Sequence, residues 1–283
     1  MQKFLTSLCV SLAAVMSTAT LAADLSVNAR VEQAMFGQHR SAANQDRNRY
    51  RHPVGTLEFF GLDYDMKVLE IWPGGGWYSE ILAPVLRGRG EYVVASWDQT
   101  VPDQPGYRYS LHEQMLARFA AEPAIYDQVK VIPWSPPQSA SLGEANSYDL
   151  VLTFRNTHGW VSDGIAAAVF VEFARVLKPG GVLGVVQHRA AAGADPASSA
   201  ETGYVSEDAV IAYATAAGLV LDDRSEVNAN AADDRDHPMG VWSLPPSLDV
   251  CAELADATAK AECKAPFLAI GESDRMTLRF RKP

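Results

Sequence analysis

The stretch Val68-Leu69-Glu70-Ile71-Trp72-Pro73-Gly74-Gly75-Gly76-Trp77-Tyr78-Ser79-Glu80 decides how this 283-residue chain is read. A short apolar run carrying an acid gives way to three glycines, and a helix-like segment follows. That is a strand, a turn that bares its main chain, and a helix start. Glycines let a ligand touch the backbone, and the unpaired N–H groups of a helix start attract polar or anionic groups. Three glycines in a row also cost conformational entropy. The plainer alternative is a tight turn that holds no guest. The rest of the chain is read against the idea of a nucleotide-type pocket on an α/β sheet.

On either side of this stretch, strand and helix patterns alternate. Strands are predicted at 67–72, 91–96, 129–133, 148–154 and 182–187, with another beginning at 219–221 and a last one at 276–281. Helices are predicted at 77–86, 110–121 and 163–177, the last with Ser162 as N-cap and Ile165, Val169, Phe173 and Leu177 as an apolar stripe. Ser206 reads as the cap of a further helix that Gly218 ends. Alternation of this kind implies a parallel sheet with right-handed crossovers. The fold class is therefore α/β: a Rossmann-like, doubly wound, mostly parallel sheet with an antiparallel last strand, in three α/β/α layers.

Residues 24–60 read as an N-terminal helical lid, with one or two short helices before Arg51-His52-Pro53 and another at 56–60. Residues 61–283 form the main domain, with an insertion at about 226–275 that joins two strands able to pair antiparallel. Residues 1–23 read as a signal peptide: Lys3, an apolar run, then small residues for cleavage near Ala22. The expected location is periplasmic or secreted, with no stable membrane insertion after cleavage, because no later run approaches the roughly 20 apolar residues of a spanning helix.

The formal charge of −10 opposes phosphate-backbone binding, so nucleic acid is not an expected partner and a small-molecule substrate is. The oligomeric state is left open. Outside the leader only Cys251 and Cys263 remain, an even count that suggests a disulfide in an exported chain. Twelve residues of unbroken helix would hold them about 18 Å apart, against a Cα limit of about 7 Å. A bond therefore needs a helical break near Ala255-Asp256-Ala257; two buried thiols are the alternative. No metal-ligand spacing is visible, and none is expected.

Ligands of open α/β sheets sit beyond the carboxyl ends of the strands. There the sequence places Glu70 and Gly74 to Gly76, then Asp98, then Arg155-Asn156-Thr157-His158, then His188. An acid at the second strand suits both hydroxyls of a ribose. His158 has the pKa range of a general base. Arg155 and Asn156 either touch a substrate or shape their loop. Tyr50, Arg51 and His52 are candidates for a lid, and the run Arg47 to Arg51 is a basic island able to pair with a carboxylate.

Glu70-Ile71-Trp72-Pro73-Gly74-Gly75-Gly76 resembles the acidic-x-Gly-x-Gly-x-Gly motif of class I S-adenosylmethionine-dependent methyltransferases. Tyr148-Asp149-Leu150-Val151, Leu177-Lys178-Pro179-Gly180-Gly181 and the final strand are similar to later landmarks of that family, in the same order. The stretch from Arg47 to Phe60 and the motif around Trp72 also look like an exported bacterial subgroup described only as predicted methyltransferases. The resemblance implies S-adenosyl-L-methionine as cofactor and methyl transfer to a small molecule. It implies that Gly74, Gly75 and Gly76 pass the methionine part, that Glu70 orients that loop or the ammonium, and that Asp98 holds the ribose. Arg155, Asn156 and His158 would face the methyl group. Two departures stand out. Trp72 occupies the place of the family's first glycine, and Trp134 stands after the third strand where an acid often contacts adenine. Trp72 and the oxidising compartment motivate a rival: a non-catalytic ligand-binding protein on the same scaffold. A nicotinamide-dependent oxidoreductase is disfavoured, because the last glycine of the dinucleotide fingerprint is missing.

Overall fold

The computed structural model describes residues 25–283, so the expected signal peptide lies outside the described residues. Seven strands follow in chain order: β1 (Lys67–Ile71), β2 (Glu91–Ser96), β3 (Lys130–Pro133), β4 (Tyr148–Phe154), β5 (Leu177–His188), β6 (Val220–Ser225) and β7 (Arg275–Arg281). They form one sheet in the order β3-β2-β1-β4-β5-β7-β6. Strands β1 to β5 are parallel, and β7 runs antiparallel to both β5 and β6. The expected Rossmann-like architecture with antiparallel pairing at the end of the chain is what the structure shows. The direction of winding reverses between β1 and β4, so the crevice beyond their carboxyl ends is the sheet's natural ligand position.

Side-chain alternation builds the layers. Leu69, Ile71, Val93, Ala95, Val151, Leu183 and Leu278 face one side, under the helices Ala166–Val176 and Glu207–Ala216. Val68, Tyr92, Val94, Leu150, Leu152 and Val186 face the other, under the helices Val27–Met35, Pro53–Phe59 and Ser79–Leu86. Both faces are apolar, as parallel strands buried on two sides require. No helix of the described residues is long and apolar enough to cross a membrane.

Several local expectations need correction. The helix expected over 163–177 spans Ala166–Val176, and a separate short helix that was not expected, Thr157–Ser162, precedes it. Gly164, at φ 69°, ends the short one, so Ser162 closes a helix instead of capping one. Strand β5 starts earlier than expected, at Leu177, and pairs irregularly with β4 at first. The segment before residue 53 holds three short helices, Val27–Met35, Ala42–Asp46 and Asn48–Arg51. Ser206 does cap its helix, accepting from the Ala209 amide.

Cys251 and Cys263 are bonded, with Cα atoms 6.0 Å apart. The helical break falls where spacing demanded it. A short 3-10 turn ends at Cys251, and a new helix starts at Ala257 behind the Asp256 cap, which brings Cys263 back over its partner.

Phe60, from the N-terminal segment, packs against Gly184 of β5. A Cβ at residue 184 would come within 2.7 Å of the Phe60 ring and 2.8 Å of Leu152. Overfilling such a contact typically costs about 1–3 kcal/mol. Gly184→Ala is therefore expected to destabilise the protein by about that amount, read as a lowered midpoint in urea with an unchanged m-value. A neutral result would mean that the N-terminal segment does not rest on the sheet as described.

Candidate ligand site

Four tryptophans meet at the carboxyl ends of the strands. Trp72 follows β1, Trp97 follows β2, Trp134 follows β3 and Trp160 lies in the helix after β4. The centroid of the Trp72 ring is 5.6 Å from that of Trp97, 5.3 Å from Trp134 and 5.6 Å from Trp160. All four are buried, Trp72 to 6 % exposure and Trp134 and Trp160 to 0 %. The Trp72 indole N–H donates to the Trp134 carbonyl at 3.0 Å, and the Arg108 guanidinium lies 5.1 Å over its ring. Trp72 takes a left-handed backbone, φ 44°, as a glycine there would. That turn places its indole in the core that Leu69 and Ile71 face. Tilted aromatic pairs at such distances are favourable beyond the area they bury.

The glycine loop itself is bare. A Cβ at Gly74 would meet nothing within 4 Å, and Gly74 and Gly76 have φ values of 60° and 80°. The loop is held from behind. Arg118 donates to the Gly75 carbonyl at 2.7 Å, and the same guanidinium pairs with the buried Glu80, which also accepts from Arg40 and Asn44.

Glu70 faces neither the loop amides nor open space. Its carboxylate is buried and accepts from the Ser79 hydroxyl at 2.9 Å and from the Tyr92 hydroxyl. Burial pushes its pKa up to about 7, against the opposing pull of those two hydroxyls. Its role is to tie β1, β2 and the following helix together. Asp98 is turned onto its own loop, accepting from the Thr100 amide at 2.9 Å and the Thr100 hydroxyl at 2.7 Å, which hold its pKa down. Asn156 donates to the Ile71 carbonyl at 2.8 Å and the Trp72 carbonyl at 3.3 Å, so it shapes the corner from the β4 side.

Trp72 stands where the resemblance places the family's first glycine, and its indole packs among the residues that follow β1, β2 and β3. Indoles cluster beyond β1, β2 and β3, and Asp98 is bonded to Thr100. A cavity of about 290 Å³ lies at the opposite end of the strands, lined by Phe60, Asp149, Lys178, Gly181 and Arg279 among others.

A second cluster lies beside the first, where β4 and β5 end and β7 begins. His158 and His188 have ring centroids 5.9 Å apart. Burial lowers both pKa values, His158 to about 4, with a Gln187 hydrogen bond opposing and the Arg155 charge adding to the effect. His158 is thus a neutral imidazole and a weaker base than a free histidine. Arg51, expected in a lid, is buried, and its Nε sits 3.0 Å from Glu272. Arg47 and Arg275 pair with the same carboxylate at 2.8 and 3.0 Å. Sequence reading proposed a carboxylate partner for the Arg47–Arg51 island but did not find Glu272 or Arg275, which lie more than 200 residues away. Elsewhere Asp233, Asp234 and His237 bring potential metal-binding atoms within 4.8 Å, a group not expected from spacing. Asp233 already accepts from Tyr204, His237 and the Asp274 amide.

No protein-family model and no curated sequence matches the chain. Solved structures do. The [4+2]-cyclase SpnF aligns at TM-score 0.55 and 18 % identity, covering 91 % of this chain and 93 % of its own. A SAM-dependent methyltransferase from Aquifex aeolicus aligns at TM-score 0.50 and 17 % identity, covering 71 % and 93 % respectively. At such identities the likeness establishes the methyltransferase-type fold.

Glu70 offers a pH test. Its carboxyl titrates near 4.5 when unfolded and near 7 when folded, so the folded state holds the proton longer. Its contribution to stability therefore falls as pH rises between those values, and stays lost above them. Glu70→Gln keeps the shape without the charge. Relative to wild type, the variant should gain about 2–3 kcal/mol between pH 5 and pH 8. Chemical denaturation at both pH values measures this; a pH-independent difference would show that Glu70 is not a buried titrating acid.

Proposed function

We propose that this chain is an exported ligand-binding protein on a methyltransferase-type scaffold, with its nucleoside corner closed by its own side chains. The observation that carries this reading is the buried Trp72 indole, packed against Trp97, Trp134 and Trp160 where the resemblance would place ribose and base. Export is supported by the leader-like pattern of residues 1–23 and by the Cys251–Cys263 bond, which persists in oxidising compartments. Such compartments are not where S-adenosylmethionine is normally supplied.

A second reading, S-adenosylmethionine-dependent methyl transfer to a small molecule, is favoured by the fold and by the bare Gly74. It requires the Trp72 indole to leave its packing. Removing a large buried aromatic costs about 3–5 kcal/mol. Displacing Trp72 at even about 3 kcal/mol would weaken apparent cofactor affinity roughly 100-fold, since only the open fraction binds.

Calorimetric titration of the wild-type protein with S-adenosylmethionine and S-adenosylhomocysteine, each at millimolar levels, separates the two. The closed-corner reading expects no saturable heat from either. Saturable binding by the wild type would overturn it and favour methyl transfer. Trp72→Gly suits the left-handed backbone and removes the blocking ring, so it reports what the indole alone contributes.

A further inference from the structure

We infer that the cluster of Arg47, Arg51, Arg155 and Arg275 around Glu272 is a binding site for a small oxyanion: a carboxylate, sulfate or phosphate group. This names the chemical class of ligand for the binding reading above, though the anion site itself does not depend on how the indole corner is resolved.

The charge count is the first ground. Three guanidinium groups pair with one buried carboxylate, Glu272, which is 3 % exposed, and the charge of a fourth, Arg155, also acts on it. Burial alone would push its pKa up, yet Arg51, Arg275, Arg155 and Arg47 together hold it well below the usual carboxylate range. The neighbouring acids are committed elsewhere: Asp274 to Arg189 and Arg235, Glu80 to Arg40 and Arg118. The two adjacent histidines are neutral and bring no negative charge. Four cations thus share one anion, an excess of three positive charges, with Arg51 and Arg275 buried.

Unused donors are the second ground, and they are independent of the count. Arg51 is 1 % exposed, and its Nη2 is buried with no acceptor; the same holds for Nη2 of Arg47. The half-buried Arg155 makes no hydrogen bond or ion pair from its side chain to any described residue. A guanidinium carries five N–H donors in a planar fork that matches a carboxylate or phosphate. Buried donors of this kind are rarely left unpaired. Burial and the Arg51 charge push the Arg155 pKa well below its ordinary value, with Glu272 opposing.

Backbone geometry supplies the third. Arg155 sits immediately after β4 at φ 66°, a left-handed conformation that a long side chain rarely adopts. Its amide is fixed by the Val186 carbonyl at 2.7 Å, and Asn156 beside it is tied to the β1 loop. Strain of this kind collects at ligand sites. The position agrees, since Arg155 and His188 lie at the carboxyl ends of β4 and β5, on the rim where open α/β sheets bind guests. Arg155 and His158 keep partial solvent exposure, which leaves a way in.

The test is thermal melting and calorimetry of the purified protein with inorganic phosphate, sulfate and acetate, at ionic strength held constant with sodium chloride. At least one oxyanion should bind saturably and raise the melting temperature above the chloride control; the pattern across the three separates planar carboxylate from tetrahedral anion. Arg155→Gln removes an uncompensated charge. It should melt higher than wild type without anion, bind the same anion at least tenfold more weakly, and lose the anion-dependent rise. Should that variant not fold, Arg155→Lys keeps the charge and loses the fork, with the same tenfold loss expected. Equal response to chloride and to all three oxyanions, or unchanged binding in the Arg155 variants, would overturn the proposal. Neither result alters the S-adenosylmethionine titration, so the two readings fail separately.

Discussion

Trp72 holds a left-handed backbone (φ 44°) and buries its indole against three others, and the geometry of the whole rim follows from that packing. A non-glycine residue in this conformation costs about 1–2 kcal/mol. Burying some 200 Å² of indole returns about 5 kcal/mol, before any gain from the aromatic pairs. Burial of the indole thus outweighs the backbone cost at this position. It also fixes its neighbours. The indole N–H holds the end of β3 through the Trp134 carbonyl, and Asn156 bridges from β4 to the carbonyls of Ile71 and Trp72. The residue next to Asn156 is Arg155, so the strained turn that presents the unpaired guanidinium is anchored on the indole corner.

Glu272 does the complementary job on the other side of the rim. It pulls Arg47 and Arg51 of the N-terminal helices and Arg275 of β7 onto one carboxylate. Arg275 also donates to the Tyr50 carbonyl, and Asn228 donates to the Thr56 hydroxyl. Breaking a buried ion pair by deleting one partner typically costs about 3–5 kcal/mol. A segment fastened this way is a wall of the rim, and this is why Arg51 is buried where a lid residue would be exposed. The surplus of cations is the price of using several arginines to clamp one acid.

Much of this was legible in residues. The strands show their period, the glycine loop its turn, and Cys251 and Cys263 needed a helical break that Asp256 supplies. The indole corner was half legible. Trp72 and Trp134 were each seen as departures, but only the β1–β2–β3 pairing shows that residues following three adjacent strands share one space, and Trp97 passed unremarked. The apolar stripe from Ile165 marks the helix Ala166–Val176, whereas the separate helix Thr157–Ser162, closed before Gly164, is too short to show a stripe of its own. The Glu272 cluster was least legible. Its members are about 220 residues apart, and local pattern carries no information about contacts at that separation.

Fold and chemistry separate cleanly here. SpnF, named as a cyclase, and the Aquifex aeolicus methyltransferase both share this scaffold, so the sheet order by itself selects no reaction. What distinguishes this chain is which groups reach the rim: indoles over β1 to β3, guanidinium groups over β4, β5 and β7. The net charge of −10 sharpens the point. An acidic surface repels anions at long range, but salt screens that repulsion beyond about 8 Å, whereas groups inside a desolvated crevice are screened far less. Any anion this protein holds must therefore be held at contact distance by the buried arginines, which favours a small guest seated deep in the rim over a large polyanion lying across the surface.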